Sequence, residues 1–156
     1  MDTIAERLHR LSLPPVSKPL GSYVSVKHCG NLVYTSGCLP FDSKGNLITG
    51  RMGENLTLAQ GQDAAQKSIL YVLAVLAQDL GGIESLAKVK SILKITGFMQ
   101  TTANFFDHPQ VLNGASDLLV EIFGEKGKHA RAAVGVFTLP KNAAVEIEMV
   151  AELEKP

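Results

Sequence analysis

Tryptophan is absent from this 156-residue chain, cysteine occurs only twice, and fifteen basic residues are balanced by fifteen acidic ones. Each scarcity excludes something. Zero net charge leaves no electrostatic footprint for a polyanion, and no run of lysine or arginine marks a local one, so no nucleic-acid partner is expected. Cys29 and Cys38 fit neither a CxxC redox pair nor a zinc pattern, and one bridge would staple little. Both are read as reduced thiols of a cytoplasmic protein. His9, His28, His108 and His129 lie far apart, without HxxxH or HxH spacing, which leaves no metal site to expect. No apolar run approaches the roughly 20 residues of a membrane span. The first residues, "MDTIAERLHRLSLPP", are charged and helical in period, unlike a signal peptide.

What is present is an apolar, globular composition, 46% hydrophobic and 19% charged, enough for one domain over residues 1–156. Residues 1–15 form a helical extension, with Ile4, Leu8 and Leu11 on one face and Pro14–Pro15 stopping it. "SYVSVKHCGNLVYTSG" predicts a hairpin turning at Gly30–Asn31, and Leu47–Ile48 a further short strand. Thr57 or Asn55 caps a helix whose Ala65, Ile69, Val72, Leu76 and Leu80 recur at three- and four-residue intervals, closed by Gly81–Gly82. "KVKSILKITGFM" predicts a strand, and "HPQVLNGASDLLVEIFGEKG" a helix with Pro109 in its first turn. "HARAAVGVFTLPKNAAVEIEMVAELE" reads as two strands joined by a turn. The order β-β-α-β-α-β-β, after a terminal helix, predicts an α+β fold with two helices on one face of a mixed sheet.

The last two strands carry the candidate chemistry. Val145, Ile147 and Met149 alternate with Glu146 and Glu148, and Val134 and Val136 alternate with Arg131, Ala133, Gly135 and Phe137. If both valine-bearing sets face the helices, Arg131 and Glu146 share the uncovered face, whereas a one-residue slip separates them. That face is too mixed for solvent and too polar for a core, so a second copy of the chain is expected to cover it. A cross-strand ion pair accounts for Arg131 as well as a binding role does.

Three segments, "GSYVSVKHCGNLVYTSGCLP", "VLNGASDLLVEIFG" and "ARAAVGVFTLPKNAAVEIEMVAEL", resemble the RidA/YjgF family of reactive-intermediate deaminases, also known as endoribonucleases of the perchloric-acid-soluble type. The resemblance runs from about Gly21 to Leu153. It implies a chorismate-mutase-like fold, a homotrimer with clefts between subunits, and hydrolysis of small 2-imino acids to 2-keto acids and ammonia without a cofactor. By position it implies that Arg131 grips the substrate carboxylate and that Glu146 orients or deprotonates the attacking water. Tyr23, Ser36, Gly37, Asn113 and Ala133 would line the site, Ala133 keeping a contact made by the backbone carbonyl and losing one made by a thiol. Without the family these would be a strand-edge aromatic, a turn and a surface amide. Ala133 stands where the family's well-studied members have cysteine, Ser22 where proline is common, and "TGFMQTTANFFDHPQ" is longer than usual. These departures imply a divergent subgroup whose substrate need not derive from 2-aminoacrylate. Two other readings stay open: a trimer that binds small carboxylates without turnover, and a ribonuclease or translation inhibitor. The neutral charge and the lack of a histidine pair weigh against the latter.

Overall fold

The structure, a computed structural model, describes residues 1–156. Its elements are α1 (Ile4–Leu11), β1 (Val26–Cys29), β2 (Leu32–Thr35), α2 (Leu58–Leu80), β3 (Val89–Gln100), α3 (His108–Phe123), β4 (Ala130–Val136) and β5 (Val145–Leu153). The order of helices and strands is the one read from the sequence, except that Leu47–Ile48 forms no strand. Only single bridges form there, Phe41 with Leu47 and Thr49 with Ala143.

Capping follows side-chain chemistry. Thr57 wins over Asn55 at the start of α2, in a reciprocal box with Gln60, because Asn55 is spent accepting from the Arg51 amide at 2.7 Å. Gly81 ends α2 in the left-handed region. Ile69, Leu73 and Leu76 of α2, with Leu112, Leu119 and Ile122 of α3, pack on Val33, Ile92, Ile95, Met99, Val145, Ile147 and Met149 of the sheet, all essentially solvent-free. Each such side chain contributes roughly 1.5–3 kcal/mol on burial.

The sheet order is β1-β2-β5-β3-β4, which corrects the hairpin expected at the end of the chain. β4 lies parallel to β3, and β5 runs antiparallel to β3 on its other side, so β4 and β5 never touch in register. The physical reason is α3. It is a crossover that lets β4 pair parallel to the long buried strand it follows, and β5 then takes the remaining edge of β3. Lys141 and Asn142, both at positive φ (56° and 59°), turn the chain for this crossing. Fully buried Gln100 holds the turn: its amide donates to Gly50 O (2.9 Å) and Asn142 Oδ1 (2.6 Å), and its oxygen accepts from Leu139 N (2.9 Å).

The register also corrects the faces. Arg131, Ala133 and Gly135 align with Ile95, Gly97 and Met99, on the helix side, while Val134 aligns with Phe98 and Glu146, on the open side. Val134 is 41% exposed. Arg131 and Glu146 therefore lie on opposite faces, the one-residue slip the pattern allowed. The open face still carries the expected mixture, with Tyr34, Lys94, Thr96, Glu148 and Val150 lining a shallow depression.

The terminal extension is fixed by α1, whose Leu8 is fully buried and whose Arg7 guanidinium donates to Ile122 O (2.7 Å) and Glu121 O (3.1 Å) at the end of α3. The following segment crosses α2, where Ser17 N donates to the Tyr71 hydroxyl at 3.1 Å, and delivers Lys18 to Leu20 beside the cavity described next.

Candidate functional site

Four of the residues anticipated from sequence, Tyr23, Ser36, Gly37 and Glu146, line one cavity of about 280 Å³. Residues 36–38 run beside β5, with Cys38 and Ile147 exchanging both backbone hydrogen bonds (2.9 and 3.1 Å). This places Gly37 against the Glu146 carboxyl so closely that a Cβ there would collide with Oε1, and only glycine leaves the carboxyl its position. Burial, and then the Glu148 carboxylate two residues on, hold the Glu146 carboxyl above the usual range, so it exchanges a proton more readily near neutrality than a free glutamate does. Ser36 is a scaffold: its hydroxyl donates to Val24 O at 2.7 Å and its amide to Ser25 O at 2.9 Å. Tyr23, 57% exposed, has a free hydroxyl and forms the outer wall.

Cys38 lines the same cavity, but burial, reinforced by the charge of Glu146, pushes its thiol up to about 12. At neutral pH it is an apolar wall and not a nucleophile. Lys18 and Lys141 reach the cavity rim, and neither is salt-bridged to Glu146. Sequence reasoning missed both lysines. The first arrives through an unpatterned loop, and the second through the Pro140–Asn142 turn, where Lys141 shares the left-handed backbone of Asn142.

The other anticipated residues lie elsewhere. Arg131, near the start of edge strand β4, directs its guanidinium at α3, donating from Nη1 to Ser116 Oγ (3.0 Å) and from Nη2 to Pro109 O (3.3 Å). It makes no salt bridge, which removes the cross-strand ion pair as its explanation. Asn113 sits between Pro109 and Ser116 on that same helical face, by the i, i+4, i+7 spacing, with its side-chain amide unengaged within the chain. Ala133 follows Arg131 on the same side of β4. A larger, shallower recess of about 790 Å³ at the far end of β4, between Arg51, His108 and Phe137, holds none of the anticipated residues. The anticipated residues thus fall into two separate groups, one around the Arg131 guanidinium with the Asn113 amide, the other around the Glu146 carboxyl in its cavity.

No group of His, Cys, Asp and Glu side chains is arranged to hold a metal ion. No helix is long and apolar enough to cross a membrane.

Residues 6–153 match the family described as "YjgF/chorismate mutase-like, putative endoribonuclease". The chain is 39% identical over 153 residues to protein TCP17 of Trypanosoma cruzi, covering 96% of this chain and 94% of that one. It is 32% identical over 145 residues to the 2-iminobutanoate/2-iminopropanoate deaminase of Dermatophagoides farinae, covering 92% and 95%. A crystal structure from Shewanella oneidensis, titled a "putative endoribonuclease", superposes with a TM-score of 0.90 at 34% identity, over 97% of this chain and all of that one.

Proposed function

Because the chain belongs to the YjgF/chorismate mutase-like family, we propose that it hydrolyses small 2-imino acids to 2-oxo acids and ammonia, at sites shared between neighbouring copies in a homotrimer. One observation carries the reading: the Glu146 carboxyl, raised in pKa and held against Gly37 in an open cavity, has the chemistry of a water activator. The same chain supplies an arginine fork that no carboxylate of its own occupies.

Arg131 on edge strand β4 and Glu146 on central strand β5 face opposite sides of one sheet, so one small molecule meets both only if they come from two copies. The mixed open face, with exposed Tyr34 and Val134, is the surface that packing between copies would bury. In such a cleft the Arg131 fork takes the substrate carboxylate bidentately and Asn113 supplies a further hydrogen bond. A water held by Glu146 attacks the imine carbon as the carboxylate takes its proton. The C–N bond of the resulting carbinolamine then breaks as the protonated Glu146 gives its proton to the leaving nitrogen, and the hydroxyl proton, released as the C=O bond forms, passes through Glu146 to the departing ammonia. An iminium acid and water become a 2-oxo acid and ammonium, with no electron gained or lost.

The test is ammonia release from 2-iminopropanoate and 2-iminobutanoate, generated by an amino-acid oxidase, for wild type, Arg131→Ala and Glu146→Gln. Acceleration is expected for wild type only, with Glu146→Gln still binding the 2-oxo acid product. Wild type that binds without accelerating would make the protein a carboxylate-binding trimer, and cleavage of RNA without imine hydrolysis would favour the other activity in the family's name.

A further inference from the structure

Arg131 stands at the end of a directed chain of hydrogen bonds. Ser116 Oγ lies 3.0 Å from Arg131 Nη1 and 2.9 Å from His129 Nε2, and His129 Nδ1 lies 2.6 Å from Gly127 O. The proton positions follow from the groups themselves. A carbonyl only accepts, so His129 carries its proton on Nδ1, and Nε2 of the neutral ring is then an acceptor. A guanidinium only donates, so Ser116 Oγ accepts from Arg131 and turns its own hydrogen to His129 Nε2. With the ring neutral, this arrangement satisfies every group, and each bond fixes the direction of the next.

The far end is rigid. Gly127 is buried and packs so tightly on α3 that a Cβ there would collide with the carbonyl of Leu119. His129 precedes β4 directly, and Ser116 lies on α3 two turns beyond Pro109, the guanidinium's second anchor. Arg131 is therefore held at both terminal nitrogens, on Ser116 and on Pro109 O, which sets the plane of the guanidinium. It keeps its Nε–H and the second hydrogens of Nη1 and Nη2 for a ligand. An exposed arginine on an edge strand without such bracing samples many rotamers and loses that freedom on binding.

Resting on the proposed imine hydrolysis, we infer that Ser116 and His129 are positioning residues that pre-orient the Arg131 guanidinium toward the substrate carboxylate. Neither touches substrate. Their effect reaches the reaction only through Arg131, on the affinity for the carboxylate, which is the same in ground and transition states. It therefore falls on KM and not on kcat.

The test uses Ser116→Ala, His129→Leu, His129→Gln and Arg131→Ala, alone and combined. Its readouts are steady-state hydrolysis of 2-iminobutanoate and calorimetric binding of 2-oxobutanoate. Ser116→Ala and His129→Leu are expected to raise KM and Kd about tenfold each, the worth of one oriented hydrogen bond, and to leave kcat within about twofold. The double variant is expected to cost no more than either single, because both break one chain. His129→Gln keeps an acceptor for Ser116 and restores most of the affinity. In the Arg131→Ala background neither change adds anything. Unchanged KM and Kd in Ser116→Ala and His129→Leu, while Arg131→Ala abolishes binding, would overturn the inference. So would an effect that persists without Arg131, or a loss confined to kcat. Intact binding and turnover in Arg131→Ala is a separate outcome, which would remove Arg131 from the proposed function itself.

Discussion

Adding a single methyl group at Gly37 isolates the geometry of Glu146 from its chemistry. The Cβ of Gly37→Ala would meet Oε1 of Glu146, with the carboxyl carbon and Cγ at 2.9 and 3.0 Å, closer than real Cβ contacts. What it meets is the far end of a side chain and not backbone, so the chain relieves the contact by swinging the carboxyl aside. Gly37 also lies outside the left-handed region, so alanine is tolerated by the backbone. The cost to stability is therefore small, under about 1.5 kcal/mol. The displacement needed to restore van der Waals contact is about 1 Å, and a catalytic group misplaced by that much loses about 10²-fold in rate. The account predicts a kcat for 2-iminobutanoate lowered about 100-fold, a KM within a few fold of wild type because Arg131 is untouched, and a melting temperature within a few degrees. Steady-state hydrolysis and a thermal melt measure all three. Wild-type kcat in Gly37→Ala would refute the claim that Glu146 acts from its place against Gly37. A melting point lowered by more than ten degrees would show that Gly37 serves the fold instead.

Other expectations follow from the same residues. Glu146 has a folded-state pKa above its unfolded value, so ionising it costs folding energy, a cost absent below the ordinary carboxylate range and complete above the raised pKa. Glu146→Gln should therefore melt higher than wild type at pH 7 and at the same temperature near pH 4. Glu148→Gln, by removing the second cause of that shift, should move the acid limb of the rate profile to lower pH. Gln100→Leu strands the Leu139 amide and the Gly50 carbonyl and frees the turn at Lys141 and Asn142. A loss of about 2–4 kcal/mol in denaturant unfolding is expected, and an unchanged midpoint would contradict it. A maleimide should label one thiol of the native protein, the exposed Cys29, and reach buried Cys38 only after unfolding.

Local signals proved legible in the chain and long-range ones did not. The α2 period, the Thr57 and Gly81 caps, and the β5 alternation each depend on neighbours in sequence, and each stands where periodicity and capping chemistry put it. The partner of β4 depends on α3, which returns the chain parallel to β3, and alternation within β4 cannot report that. Its pattern sets arginine, alanine and glycine on one face and alanine and valine on the other; on an edge strand the valine set points to the core by alternation alone, yet here it faces the open side. Tyr23, Ser36, Gly37 and Glu146 line one cavity, where Ser36 contributes backbone placement and no free hydroxyl. Ser116 and His129 left no mark beyond their nearness to Asn113 and Arg131, since a serine on a helix and a histidine before a strand have many commoner uses. Lys18 lies beyond pattern altogether, because Ser17 and Tyr71 anchor the loop that carries it.

The central claim is that one site takes its arginine from one copy and its glutamate from another. Arg131→Ala and Glu146→Gln, each inactive alone, should complement when their chains are unfolded together and reassembled in equal amounts. Random assortment gives about a quarter of the sites both native residues, and so about a quarter of the wild-type kcat per site. A mixture no more active than the two parents, with mixed oligomers confirmed by native mass spectrometry, would contradict the shared site.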